Sequence, residues 1–308
     1  MDQVLTIGKA TKVTKTVHGA PYDAISVTNP KNTQAGKTIF ITGGGTAIGK
    51  AVGVAFARAS AKTIIIVGRR ADVLKQGAEH IEKEAKIAGT STKVIHRALD
   101  ITSHAAVDEL FKSLADDGIT IDVFVSNAAA FTEPRPMLEL GAEEVLRQMD
   151  TNVAAPIYIL SKFHAQGKGA QQFVVNVSSN VSHWHAHPIT LPRPSYSFTK
   201  NASTMFFQMI AETTPVEKMQ VVSYHPGLIW SEIWETMGFM DDTGFDDIDM
   251  QGSFAVWLAT PTAAFLHGRF AWASWDVTEL ATGEVRKRID EDPYFLRVTI
   301  EGAGAVQA

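Results

Sequence analysis

The sequence predicts an α/β protein built on a doubly wound parallel sheet of about seven strands, with helices on both faces. Three observations carry that expectation. Short, wholly apolar, β-branched runs alternate with segments of helical periodicity, as parallel strands covered on both faces require. The connections between them are short. A glycine cluster follows the first apolar run, where a strand would turn into a helix.

Taken in order, Thr38-Ile39-Phe40-Ile41-Thr42 reads as the first strand, and residues 46–60 as the first helix, with small and apolar residues at helical spacing. Lys62 to Val67 contains Ile64-Ile65-Ile66-Val67 and reads as the second strand, followed by a helix over 71–88. Lys93–Leu99 is the third strand, 103–117 a helix and Ile121–Ser126 the fourth strand. One long helical stretch is expected over 139–166, then a fifth strand at Gln172–Val177, a helix over 197–213 and a sixth strand at Met219–Tyr224. A last strand is expected within Gly268–Val277. Residues 1–36 are polar without strong periodicity and read as an N-terminal extension with room for a short hairpin. No linker composition interrupts the chain from 37 to 276, so 37–308 is taken as one domain, with a C-terminal extension from about 277.

The 308 residues suffice for one large α/β domain, and 45% hydrophobic with 20% charged residues is ordinary globular composition. A net charge of -5 gives no reason to expect nucleic acid as a partner. The absence of cysteine excludes disulfides, thiolate catalysis and Cys-ligated zinc. No apolar run has the length of a membrane span and the N-terminus lacks a signal-peptide core, so a cytoplasmic, membrane-free protein is expected.

Thr42-Gly43-Gly44-Gly45-Thr46-Ala47-Ile48-Gly49 sits at the first strand–helix turn. Glycine there permits tight backbone angles and close approach of a pyrophosphate, and the helix that follows offers free N–H groups and a positive dipole end. The strict G-x-G-x-x-G spacing is not met, and a ligand-free glycine turn is the rival reading. At the end of the second strand stands Val67-Gly68-Arg69-Arg70, where an NAD enzyme ordinarily carries an acid for the ribose 2′-hydroxyl. Arg69 and Arg70 could instead clasp a 2′-phosphate with forked, charge-assisted bonds, which favours NADP(H) and leaves NAD(H) open; otherwise they are solvated surface charges.

Tyr196-Ser197-Phe198-Thr199-Lys200 lies on an expected helix, so Tyr196 and Lys200 share a face one turn apart. A nearby ammonium favours the phenolate and would lower the phenol pKa, making Tyr196 a candidate general acid or base. Alone, such a pair is more often a surface pair. Val174-Val175-Asn176-Val177-Ser178-Ser179 ends the fifth strand, which would deliver Ser179 to the same carboxyl edge.

In that order the chain resembles the short-chain dehydrogenase/reductase family, whose fold is of the Rossmann type, from about Lys37 to Asp276. The glycine turn is similar to T-G-x-x-x-G-x-G, Asp100-Ile101 to the adenine-ring contact, and Ser126-Asn127-Ala128-Ala129 to N-N-A-G. Asn152, Ser179, Tyr196 and Lys200 match the catalytic tetrad, and His225-Pro226-Gly227-Leu228-Ile229 resembles the P-G segment that holds the nicotinamide carboxamide. The resemblance implies cofactor contacts from Gly43, Gly45, Thr46, Ile48, Gly49, Arg69, Arg70, Asp100, Ile101, Asn127, Ala128, Tyr196, Lys200, Pro226, Gly227 and Ile229. It implies that Tyr196 protonates the substrate oxygen, Lys200 lowers its pKa and bonds the nicotinamide ribose, Ser179 hydrogen-bonds the carbonyl oxygen, and Asn152 holds a water linking Lys200 to solvent. A homodimer or homotetramer through helices near 139–166 and 197–213 is also implied. Two departures stand out: Ala47 replaces a turn glycine, from which altered affinity is expected, and Ser126 and Ala129 depart from N-N-A-G. The Ser179–Tyr196 interval is longer than usual, so its loop is enlarged.

That loop carries His183-Trp184-His185-Ala186-His187-Pro188. With no cysteine and no carboxylate nearby, no metal is expected, and loop packing or aromatic substrate contact is the reading. Residues 229–251 correspond to the family's substrate lid and are rich in Trp230, Trp234, Met237, Phe239, Met240 and Phe245, which suits an apolar substrate, or else a core or dimer cover. The stretch 268–277 resembles fungal reductases of secondary metabolism. The expected function is therefore NADPH-dependent reduction of a ketone on a hydrophobic small molecule. The alternatives are oxidation of a secondary alcohol and a non-redox cyclase or ligand-binding scaffold.

Overall fold

The computed structural model describes residues 13–230 and 244–300, except 168, 185, 186 and 189. Seven strands form one sheet: β1 (Thr38–Thr42), β2 (Thr63–Gly68), β3 (Lys93–Ala98), β4 (Val123–Ser126), β5 (Gln172–Val177), β6 (Met219–His225) and β7 (Phe270–Trp272). Their order is β3-β2-β1-β4-β5-β6-β7 and every neighbouring pair is parallel. The chain reverses its direction of winding between β1 and β4, which opens a crevice at their carboxyl ends, where such sheets accept ligands.

Alternation along each strand assigns side chains to two cores. Ile39 and Ile41 of β1 face the same side as Ile64 and Ile66 of β2 and pack under α1 (Ala47–Arg58). Phe40, Ile65 and Val67 face the other side. All five residues of β1 are buried, which explains a strand with no polar face. Edge strand β3 reads differently: four of its six residues are exposed, among them Lys93, His96 and Arg97. The remaining helices before β5 are α2 (Ala71–Ile87), α3 (His104–Asp116), α4 (Met137–Leu140), α5 (Ala142–Met149) and α6 (Ala155–Ala165). After β5 come α7 (Pro194–Thr213), α8 (Ile248–Leu258), α9 (Val277–Leu280) and α10 (Gly283–Glu291).

The helix expected to run unbroken over 139–166 is three helices. Gly141, at φ 85°, ends α4, and a π-helical turn, Asp150–Ala154, separates α5 from α6. Pro156 supplies a reason for the second break. It carries no N–H, so the α-type bond to the carbonyl of Asn152, four residues back, cannot form.

Residues 13–36 hold two single 3-10 turns, Asp23–Ile25 and Pro30–Asn32, and no hairpin. Their partners are far away in the chain. Val17 bridges antiparallel to Trp275, the His18 ring bonds Asp276 at 2.8 Å, and the Tyr22 hydroxyl donates to the carbonyl of Trp275 at 3.0 Å. Local periodicity could not reveal a strap whose contacts lie more than 250 residues along the chain. Among the described residues no helix is long and apolar enough to cross a membrane.

Candidate active site

A cleft of about 640 Å³ lies along the carboxyl edge of the sheet. Every residue expected to contact cofactor lines it, from the turn after β1 to Ile229, and so do Ser179, Tyr196 and Lys200. Asn152 does not.

The floor is the glycine turn. Asn127, just after β4, braces it: its side-chain amide donates to the carbonyls of Thr42 at 2.9 Å and Gly43 at 3.2 Å. The Thr42 hydroxyl in return accepts from the backbone N–H groups of Asn127 and Ala128. A side chain at Gly49 would put its Cβ 2.2 Å from the Gly43 carbonyl and 2.6 Å from the Asn127 amide, so only glycine lets the turn close. No side chain caps the start of α1, which leaves its first N–H groups for an anionic ligand. Ala47 occupies the left-handed region at φ 43°, where a methyl group costs about 1–2 kcal/mol. Ala47→Gly is therefore expected to stabilise the protein by about 1 kcal/mol and tighten nucleotide binding a few-fold. A lower urea midpoint in that variant would refute the strain.

Arg69 and Arg70, at the end of β2, are exposed on the cleft, and among the described residues neither forms an ion pair. The exposed Asp100 carboxylate accepts from the Thr102 N–H at 3.0 Å and the Thr102 hydroxyl at 2.8 Å. Those bonds, with a smaller contribution from Arg69, hold its carboxyl below the usual range.

At the other end, α7 carries Tyr196 and Lys200 on one face. Lys200 is buried, and its ammonium donates to the Val177 carbonyl at 2.8 Å and sits 5.8 Å from the centre of the Tyr196 ring. Burial without a carboxylate partner pulls this lysine down to about 8. The phenol of Tyr196 moves opposite to the sequence-based expectation. Burial pushes it up to about 12, and the cation drawing it back is Arg193, not Lys200. With Lys200 committed to Val177, desolvation decides the direction.

The depressed lysine has a measurable consequence. Between about pH 8 and the unfolded value of about 10.4, the unfolded chain binds a proton that folded Lys200 does not, so stability rises with pH across that window. Lys37, also lowered to about 8 by burial, adds a rise of the same sign. Lys200→Met should remove about 1–2 kcal/mol of the gain between pH 7.5 and 9.5, measured by urea unfolding. An identical rise in the variant would sink this account.

Ser179 lines the cleft and caps a 3-10 turn, Asn180–Ser182: its hydroxyl accepts from the N–H of Val181 at 3.4 Å and donates to the Asn180 side chain at 3.2 Å. Asn152 is buried behind this group. Its carbonyl oxygen accepts from the N–H of Ala130 at 2.6 Å, and its amide donates to the Ala130 carbonyl at 2.8 Å and the Thr199 hydroxyl at 2.9 Å. The side chain thus clamps the loop after β4 to α7. Phe131 on that loop meets the Tyr196 ring edge-on at 5.7 Å.

The turn after β6 depends on a residue that sequence reasoning passed over. Asp246 accepts from the N–H of Leu228 at 2.8 Å, and its own N–H donates to the Leu228 carbonyl at 2.8 Å. Gly227, at φ 97°, makes room for it, since a Cβ there would fall 2.4 Å from the carboxylate. Asp246 is one of several acids in its stretch, and nothing in their spacing distinguishes it. His225, just before the turn, is buried against Trp272 at 4.6 Å, and burial with His183 nearby drives it down to about 3. Trp230 and Phe245, at the two ends of the expected lid, meet edge-on at 5.0 Å; Trp234, Met237, Phe239 and Met240 lie outside the described residues. In the enlarged loop, His183 packs on Phe270 and Trp184 on Trp272, at 5.2 and 5.3 Å, while His185 lies outside the described residues.

A parallel sheet wound in two directions from one crevice, with a glycine turn at one end and a serine, tyrosine and lysine at the other, defines a Rossmann-type α/β oxidoreductase. The family description "short chain dehydrogenase" matches residues 37–240, and the chain belongs to the short-chain dehydrogenase/reductase family of NAD(P)-dependent enzymes acting on alcohol and ketone groups. It is 33% identical over 286 residues to short chain dehydrogenase/reductase AacuD of Aspergillus aculeatus, covering 92% of this chain and 95% of that protein. It is 31% identical over 294 residues to nsrO of Aspergillus novofumigatus, with coverage of 92% and 95%. Among solved structures, L-sorbose reductase from Gluconobacter frateurii, complexed with NADPH and L-sorbose, superposes with a TM-score of 0.66 at 21% identity, over 79% of this chain and 96% of that one.

Proposed function

We propose that this enzyme reduces a ketone on a hydrophobic small molecule, a secondary metabolite by analogy with its fungal relatives, and that it prefers NADPH. The observation that carries the reading is the composition of one cleft: Arg69 and Arg70, without an ion pair among the described residues, at one end, and Ser179, Tyr196 and Lys200 at the other. The residues fit the cofactor. The Gly43–Gly49 cradle has no room for a further side chain at Gly49, and the guanidinium groups of Arg69 and Arg70 line the same cleft and could bond a 2′-phosphate.

When bound, NADPH supplies the hydride that reaches the carbonyl carbon. Tyr196 donates its phenolic proton to the substrate oxygen, and the Ser179 hydroxyl donates a hydrogen bond to the same oxygen as charge develops there. Burial holds the Tyr196 phenol in its protonated form at neutral pH, so the proton it donates is in place. Asn152 acts as a positioning residue, holding Ala130 against α7. Phe131 offers an apolar wall beside Tyr196.

The test is consumption of NADPH, followed by loss of its absorbance, against a panel of aryl ketones. Turnover with at least one is expected; no turnover, with no binding of NADPH, would overturn the reading. Exposed Leu146, Ile157, Phe198 and Met209 on α5, α6 and α7 support self-association through those helices. A monomer's mass by light scattering would rule that out.

A further inference from the structure

We infer that Arg193 is an anion-recognising residue of the substrate site, and that the substrate carries an acidic oxygen, a carboxylate or an ionised phenol or enol, beside the carbonyl to be reduced. The inference rests on the reductase reading of the cleft and specifies its substrate class.

Arg193 stands immediately before α7, three residues ahead of Tyr196 and close enough for its charge to act on that phenol. Its Nε donates to the carbonyl of Thr132 at 2.9 Å, next to Phe131, which lines the cleft and packs on Tyr196. The same two segments are tied again by the N–H of Arg135 donating to the Pro192 carbonyl at 2.9 Å. The guanidinium is thereby tied to the loop that carries Phe131, just outside the lining of the cleft and near enough to act on the Tyr196 phenol. It is half-buried, and among the described residues no carboxylate pairs with it; the one side-chain bond it makes uses Nε and leaves the forked Nη groups unengaged. Other arginines withdrawn from solvent are satisfied: half-buried Arg58 bonds both Glu84 and Asp249, and buried Arg269 bonds the carbonyls of Asp292, Phe295 and Ile289.

A partly desolvated guanidinium without a counter-ion is costly, and the bond that ties Arg193 to Thr132 uses Nε alone. A ligand bringing its own negative charge removes that cost, and the fork suits two oxygens side by side. Burial also lowers Arg193 from its ordinary value, in keeping with a cation short of solvation. A wholly apolar substrate would leave it unpaired.

The experiment compares 4-acetylbenzoate with its methyl ester, matched in shape and differing in charge, by calorimetric titration of the enzyme loaded with NADP+, which cannot reduce either. The acid is expected to bind about tenfold tighter than the ester, Arg193→Gln to erase that preference, and Arg193→Lys to restore part of it. Raising salt should narrow the gap in the wild type, which keeps the question open to measurement should Arg193→Gln fail to fold. Equal binding of acid and ester by the wild type overturns the inference, as does an equal loss for both in Arg193→Gln. Arg193-dependent binding of the acid in protein that does not bind NADPH would leave this inference standing and remove the reductase reading instead.

Discussion

Tyr196→Phe is expected to lower kcat about a thousandfold, within the range that loss of a general acid produces, while NADPH binds as tightly as before. The substitution deletes one oxygen. The ring stays, and so do its edge-on contact with Phe131 at 5.7 Å and its place one turn from Lys200. Helix α7 therefore has no reason to move, and the Lys200 bond to Val177 is untouched. A fall in kcat with constant nucleotide affinity isolates the proton-donating role from any structural one. Turnover near the wild-type rate would show that another group, or water, protonates the substrate oxygen, and the assignment of the site would fail.

The second large effect is expected from Arg69→Ala combined with Arg70→Ala. Neither arginine is engaged in an ion pair among the described residues, so their removal breaks nothing in the fold. Hydrogen bonds to charged groups contribute about 1.5–3 kcal/mol each, and exposure puts these two near the lower end. Together that is about 3 kcal/mol, a loss of about a hundredfold in NADPH affinity. NADH lacks the 2′-phosphate and should lose far less. Fluorescence from the six tryptophans offers the readout. Parallel losses for both nucleotides would show that the arginines do not read the phosphate.

The two predictions differ in how far the sequence could support them. Tyr196 and Lys200 are four residues apart on one helix, and helical geometry alone places them together. Arg69 and Arg70 follow a β-branched strand whose carboxyl end, in a parallel sheet, must face the same edge as the glycine turn. In both cases the local pattern and the handed, parallel topology leave little freedom. Gly49 is similar: the turn it belongs to is visible as a cluster, although the 2.2 Å approach that demands glycine is not.

Other features had no local signature. Asp246 clamps Leu228 from eighteen residues away. The strap formed by His18 and Tyr22 closes against Trp275 and Asp276 at the opposite end of the chain. The break in the long helix could have been suspected from Pro156, yet that it turns Asn152 toward Ala130 and Thr199 depends on what packs there. Most telling is the phenol of Tyr196. Proximity to a lysine argued for a lowered pKa, but burial pushes the phenol up, with Arg193 the cation that opposes it, while Lys200 is bonded to a carbonyl.

The sequence by itself determined the order of strands and helices, the parallel sheet and the identity of the groups on its carboxyl edge, because periodicity and short connections are local properties of the chain. Only the tertiary structure decided which of those groups are desolvated, which are already bonded, and which, like Arg193, have no carboxylate partner among the described residues. Those outcomes depend on burial and on residues distant in the chain, and neither is written in the spacing of side chains along a helix or a strand.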